Sequence, residues 1–384
     1  MDVAIIGASM TEFGNRDAWL RELLAEAGEA CLADAGVDPT DVEQVHVANM
    51  AGGELEGQTG LSNALAADLG CLPAYTQRVD QTSASGGGGM VAAWQSVASG
   101  MSGLTLLVGG EKMTHRSTGE TTDVISSVTH PEEYKHGVTL PSFGALAGRL
   151  YMETTDAPRE AIAKVAVKNH RNALDNPKAQ FHKEISVEDV LDSPVVADPM
   201  RLFDYCPTTD GSAALLLCPA EEAADYTDDY VLLSGVGGGS DTHVVHQRPD
   251  PLAMDAARVA GEQAFEMAGR GPEDVDVAEL HDMVTVLEPM EYEAFGFAER
   301  GEGWRLLEEG VTDPDGDLPV NLSGGLKARG HPLGATGIAQ AYELYVQLLG
   351  EAGARQTDDP EVGFCANVGG FANCVTAAVL EVAR

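Results

Sequence analysis

The chain has 384 residues, 61 of them Asp or Glu and 23 Lys or Arg, which leaves a formal charge of −38. At 44% hydrophobic residues it is too apolar for intrinsic disorder, and it is long enough for two to three domains of roughly 150 residues each. A surface this acidic repels phosphate polyanions and anionic lipid, so neither nucleic-acid binding nor electrostatic attachment to membranes is expected.

Such a surface suits a cytosol with molar salt, where the Debye length shrinks to about 3 Å and carboxylate self-repulsion is screened. The start of the chain, Met1-Asp2-Val3-Ala4-Ile5-Ile6-Gly7, reads as a buried strand and lacks the basic opening of a signal peptide. No apolar run approaches about 18 residues, so a soluble, cytoplasmic protein is expected. The six cysteines, Cys31, Cys71, Cys206, Cys218, Cys365 and Cys374, contain no CxxC pair and none sits near histidine at zinc-finger spacing, so no metal site is expected.

Further along, the chain repeats itself. Ala27-Gly28-Glu29, Ala35-Gly36, Pro39 and Asp41-Val42 recur as Ala260-Gly261-Glu262, Ala268-Gly269, Pro272 and Asp274-Val275, all at one offset of 233. Each copy has an amphipathic helix ending in Ala-Gly, a Pro-x-Asp turn and an apolar strand, Val45–Ala48 and Val277–Leu280. Two related α/β halves follow. Gly103–Gly110 and Asn373–Leu380 add a fully buried strand to each. The expected division is residues 1–113 with 201–240 for the first half and 241–384 for the second. Residues 114–200, richer in His, Pro and charge and with a helix near Arg159 to Leu174, form an inserted loop domain, a lid over the substrate.

Four segments carry chemistry. Asp80-Gln81-Thr82-Ser83-Ala84-Ser85 runs into Gly86–Gly89 and an apolar helix, Val91–Val97. A small nucleophile there meets free backbone N–H groups and the positive end of a helix, although a simple Ser/Gly turn is the commoner explanation of such a stretch. His331 is boxed in by Gly330 and Pro332 ahead of a helical run, Ile338 to Leu349. His281 emerges from the end of an apolar strand, where α/β sites gather; a structural His paired with Asp282 is the alternative. Cys365-Ala366-Asn367-Val368-Gly369-Gly370 ends in a Gly-Gly turn that offers amides to an oxyanion or closes a hairpin.

Together, and in this order, these segments resemble the thiolase superfamily over essentially the whole chain. Gly330-His331-Pro332 with Gly334-Ala335-Thr336-Gly337 is similar to the GHPxGATG loop, and His281-Asp282-Met283-Val284 to the HDCF loop of sterol-carrier-protein-type and archaeal thiolases. Ser83-Ala84-Ser85-Gly86 stands where the family has Cys-x-Ser-Gly, and Asp210-Gly211-Ser212-Ala213-Ala214 resembles DGAAA. The resemblance implies a thiolase fold of two duplicated α/β halves in five layers, αβαβα, with the inserted loop domain. It implies a β-ketothiolase that joins two acyl-CoA molecules by reversible Claisen condensation, with CoA thioesters as substrates and no cofactor.

In that frame Ser83 carries the acyl group, His331 takes its proton, and His281 with His331 polarises the second thioester. The N–H groups of Ser83 and Gly370, with His281, hold oxyanions. Where relatives place a proton-transferring Cys this chain has Asn367 and Met283, so Asn367 and nearby Cys365 are at most assisting residues, Cys365 reading better as a buried strand cysteine. The expectation is a Ser83-His281-His331 triad like that of haloarchaeal β-ketothiolases of polyhydroxyalkanoate synthesis. The resemblance also implies a homodimer or tetramer and a small OB-fold, zinc-ribbon β subunit. Lys164, Lys168 and Arg171, with Arg201 and Lys327, are the candidate cations for the CoA phosphates. The competing readings are a non-catalytic acyl-CoA-binding scaffold, which would have no use for two retained histidines, and a ketoacyl-synthase-type condensing enzyme, which would need a nucleophilic Cys.

Overall fold

The computed structural model describes residues 2–383. The first half runs through β1 (Val3–Met10), α1 (Leu20–Asp34), β2 (Gln44–Ala48), α2 (Leu61–Leu69), β3 (Tyr75–Val79), α3 (Ser85–Ala98) and β4 (Thr105–Glu111). The inserted region contributes α4 (Leu140–Thr155) and α5 (Arg159–Ala173), after which the chain returns as β5 (Gly211–Pro219). The second half follows as β6 (Val231–Ser240), α6 (Asp255–Ala268), β7 (Val277–Glu279), α7 (Leu287–Ala294), α8 (Thr336–Leu348), β8 (Val362–Gly369) and β9 (Cys374–Val382). Among the described residues no helix is long and apolar enough to cross a membrane.

Nine strands join in the order β3-β2-β4-β5-β1-β6-β9-β8-β7, and the two ends of that sheet repeat one another. β2 and β4 are parallel, with β5 and then β1 antiparallel beyond them. β7 and β8 are parallel, with β9 and then β6 antiparallel beyond them. Between the halves only Ala4 and Ile5 pair with Leu232 and Val231, a short seam. β6 instead pairs with β9 along its whole length, Val231 opposite Val382 and Ser240 opposite Cys374. The boundary expected at residue 240 is therefore corrected to before Val231, because β6 is the second half's counterpart of β1.

Strand alternation builds the layers. Ala4, Ile6, Val45, Val47 and Leu106 pack on α1 and α2, while their neighbours Val3, Ile5 and Leu107, with Leu215 and Leu217, face α3 and α8. In the second half Val277, Cys365, Ala378 and Leu380 face that same helix pair, and Ala278, Phe364, Ala377 and Val379 pack against α6. The order helix, sheet, helix, sheet, helix is the expected five layers. With each buried Leu, Ile or Val contributing about 1.5–3 kcal/mol, the two sheets clamp α3 and α8 between them. The inserted region emerges from the first half, yet Phe143, Tyr151, Ile162 and Val165 of α4 and α5 share a core with Val284 and Leu287 of the second.

Candidate active site

β3 ends at Val79 and α3 begins at Ser85, and the turn between them holds Thr82 at φ +55°. A threonine in that left-handed region is strained by about 1–3 kcal/mol and persists only where its surroundings fix it. Asp80 Oδ1 accepts from Thr82 N at 2.9 Å, and Ser85 Oγ donates to Thr82 O at 2.6 Å while accepting from Gln81 N at 3.0 Å. The buried Ser83 is thus held on a taut strand-to-helix turn and lines an apolar cavity near the layer of central helices.

His331 reaches the same cavity from the other half. Gly330 before it sits at φ +113°, and a Cβ there would lie 2.7 Å from the Thr209 methyl group, so only glycine fits. The His331 N–H donates to Thr209 Oγ1 at 3.1 Å, and Nδ1 lies 2.7 Å from Thr336 Oγ1. Because the Thr336 hydroxyl gives its own proton to Pro332 O at 2.9 Å, it accepts from Nδ1–H. The Nε2 lone pair is left free as a base. Burial, reinforced by Arg329, lowers the His331 pKa to about 3, so the ring is neutral at pH 7.

His281 follows β7, its backbone N–H bonded to Glu291 Oε2 at 2.8 Å. Its Nδ1 lies 3.1 Å from Asn367 Nδ2 and accepts from Val368 N at 3.3 Å, while its buried Nε2 has no partner among the described residues. Burial, then the neighbouring His331 and Arg329, pull its pKa well below the usual value. The two imidazoles meet edge to face, with ring centroids 4.9 Å apart. Asp282 is not the partner of His281: it accepts from Leu326 N at 2.6 Å and Asn169 Nδ2 at 2.7 Å, pinning the loop that leads to His331.

The cavity measures about 210 Å³, and Ile125, Leu140, Met283, Val284 and Leu333 make its walls apolar. Its rim includes Thr118 and Thr122 on the short helix Thr118–Ser126, which starts at a Ser117–Glu120 capping box. The Gly369-Gly370 turn lies against the Ser83 turn, since a Cβ on Gly369 would sit 2.7 Å from Gln81 O, and it also closes the β8–β9 hairpin. Asn367 ties these parts together, with Oδ1 accepting from Gly87 N at 3.0 Å and Nδ2 donating to Ser83 O at 3.2 Å. Ser83 Oγ itself makes no hydrogen bond to either imidazole among the described residues; Ser83 and His331 line the cavity, and His281 packs edge to face against His331. Cys365 is buried among core residues of β8 and α8, its thiol pushed up to about 12. Cys206, which no motif of the chain singles out, also lines the cavity.

None of the expected phosphate-binding cations lines the cavity, and each has a partner in the fold. Lys168 points inward to Glu288 Oε1 at 2.6 Å, and the buried Lys327 donates to Tyr205 O at 2.7 Å. Lys164 pairs with Glu308 at 2.8 Å, Arg171 with Asp313 at 3.2 Å, and Arg201 donates to Ser193 O at 2.6 Å. His246 pairs with Glu133 at 2.8 Å through the tertiary fold. Thr209, Thr336 and Glu291, which orient the two histidines, carried no sequence signal beyond the place of Thr336 in the loop after His331.

Residues 3–221 match the family model of the thiolase N-terminal domain, and residues 237–382 match that of the thiolase C-terminal domain. The chain belongs to the thiolase family. This thiolase is 44% identical over 380 residues to an acetyl-CoA acetyltransferase of Methanothermobacter thermautotrophicus, covering 98% of both chains. It is 38% identical over 397 residues to an acetyl-CoA acetyltransferase of Methanocaldococcus jannaschii, covering 100% of both. Rat sterol carrier protein 2 is 32% identical over 96% of this chain and 70% of its own length. Among solved structures, an Ltp2-ChsH2(DUF35) aldolase superposes with a TM-score of 0.88 at 24% identity, covering 100% of this chain and 98% of that one, which shows the fold. With such relatives along its full length, the thiolase described here is an acyltransferase enzyme.

Proposed function

We propose that this thiolase condenses two acyl-CoA molecules through an acyl-Ser83 intermediate. The observation that carries this reading is the convergence of the Ser83 side chain and the neutral His331 ring on one apolar cavity, beside the unpartnered Nε2 of His281. His331 Nε2 takes the Ser83 hydroxyl proton as Oγ attacks the first thioester carbonyl, then delivers it to the departing CoA thiolate. The imidazole is neutral again. It next takes an α-proton from the second acyl-CoA, whose enolate oxygen is held by His281, and the enolate carbon attacks the acyl-Ser83 carbonyl. The bond to Oγ breaks, and the proton on His331 returns to the serine. One base serves both halves of the cycle, which closes without a metal or redox cofactor. The Ser83 and Gly370 amides would hold the tetrahedral oxyanion.

The same proposal includes acetoacetyl-CoA or a longer 3-ketoacyl-CoA as product, supplied to polyhydroxyalkanoate synthesis in a high-salt cytosol. A dimer formed across β3 is supported by that strand's place at the sheet edge, half-exposed along its length beside Tyr75 and Met101, which are 61% and 74% exposed. A small OB-fold, zinc-ribbon partner is also proposed; the structural neighbour above is described as a complex of two named components.

The test is thiolysis of acetoacetyl-CoA with CoA in molar KCl, followed by mass spectrometry of the Ser83 peptide. Acetyl-CoA formation with an acetyl group on Ser83, lost in Ser83→Ala and kept in Ser83→Cys, is expected. Full activity in Ser83→Ala overturns the acyl-serine mechanism, and tight CoA binding without turnover in any condition favours a scaffold.

A further inference from the structure

The two adjoining imidazoles need opposite hydrogen-bonding characters if one is to be the base and the other the enolate's donor. For His331 the selector is Thr336. We propose that Asn367 is the positioning residue that does this for His281, holding its proton on Nε2 so that it acts as a donor; the proposal deepens the acyl-transfer reading above and rests on it.

Backbone polarity supplies the argument. A peptide N–H can only donate and a carbonyl oxygen can only accept. The Gly87 N–H, 3.0 Å away, therefore fixes which end of the Asn367 amide is Oδ1, and Ser83 O, 3.2 Å from the other end, independently requires that end to be Nδ2. With both ends assigned, the remaining Nδ2 proton faces His281 Nδ1 at 3.1 Å. The Val368 N–H, 3.3 Å from the same nitrogen, is a second obligate donor. A nitrogen that accepts from two donors does not carry the proton of a neutral imidazole, so that proton lies on Nε2.

The surroundings are shaped for this side chain. A Cβ on Gly337 would lie 2.5 Å from Asn367 Oδ1, and one on Gly87 would lie 3.1 Å from Asn367 Cβ. Glycines at the starts of α3 and α8 thus leave the space the amide occupies. A thiol at position 367 would make none of these polar assignments, and the loss of a proton-transferring cysteine there has a structural counterpart in the gain of a tautomer lock.

The test reads the tautomer directly. In enzyme carrying 15N-labelled histidine, two-bond proton–nitrogen correlation spectra distinguish a bare Nδ1 from a protonated one, and the His281 signals are assigned by their loss in His281→Gln. The wild type is expected to show a bare Nδ1 and a protonated Nε2. Asn367→Asp keeps the acceptor for Gly87 N but turns an acceptor toward His281, so it should move the proton to Nδ1. It should also lower kcat by about 100-fold, the loss expected when one preorganised oxyanion donor is removed, with KM for acetoacetyl-CoA changed less than about threefold.

A wild-type His281 protonated on Nδ1 overturns the proposal even if Asn367→Asp does not fold. An Asn367→Asp enzyme with an unchanged tautomer and unchanged kcat overturns it as well. Because the tautomer is read in the free enzyme, failure of the acyl-serine mechanism would show separately, as an active Ser83→Ala enzyme with the His281 proton still on Nε2.

Discussion

Each half of the duplication sends one helix into the central layer, α3 from the first and α8 from the second, and the two helix starts touch where a Cβ on Gly86 would lie 2.7 Å from Gly337 N. The approaches to those starts differ. In the first half a threonine forced to φ +55° carries the chain into a serine; in the second a glycine at φ +113° carries it into a histidine. The repeated architecture supplies two helix starts face to face, and the diverged segments before them supply a hydroxyl and an imidazole for one cavity. Neither half contains a complete site.

The sharpest way to break this comparison is to remove the base from the second half alone. His331→Gln is expected to lower kcat by roughly 10³-fold while the protein stays folded, and near-normal thiolysis would show that the half contributes structure only. The pH profile refines the point. Burial holds His331 at about 3 against an ordinary 6.5, so the acid limb of kcat/KM should show no inflection near pH 6.5. The unfolded chain takes up a proton on this residue below about 6.5 that the folded chain refuses until about 3, so stability falls as the pH drops through that window, less steeply in His331→Gln.

The next largest effect concerns the insertion's attachment to the second half. Lys168→Met leaves Glu288 buried without its cation and should cost about 3–5 kcal/mol, measured by chemical denaturation in molar KCl. Gly337→Ala, which drives a methyl group to within 2.4 Å of Gly87 N, should cost about 1–3 kcal/mol and disturb turnover, because it separates the two helix starts. The smallest effect is expected for Lys164→Ala and Arg171→Ala: their exposed pairs with Glu308 and Asp313 contribute about 0–1 kcal/mol, and KM for CoA should not change. A several-fold rise in KM would instead support a phosphate-binding role for them.

Much of this was legible in the chain itself. The offset of 233 between Ala27–Val42 and Ala260–Val275 exposes the two halves because helix, turn and strand are local patterns, and both copies fold as read, down to the 3-10 turns Pro39–Asp41 and Pro272–Asp274. Ser83 and His331 stand out by residue type in Gly-rich settings, and His281 by its place at the end of an apolar strand. The boundary at β6 was misplaced because a strand's sequence does not say which edge it joins.

Residue identity and local spacing thus determined the two α/β halves and the acidic surface, and the resemblance carried by the motifs implied the layers and singled out Ser83, His281 and His331. Only the tertiary structure decided which cations are already paired, that Asp282 serves a loop instead of His281, and which nitrogen of each imidazole is engaged. Those outcomes depend on polar atoms within about 3 Å of one another, brought there from distant parts of the chain: Asn367 and Gly87, 280 residues apart, are joined by a single hydrogen bond. No local pattern encodes such a meeting, because it exists only once both sheets have closed on the central helices.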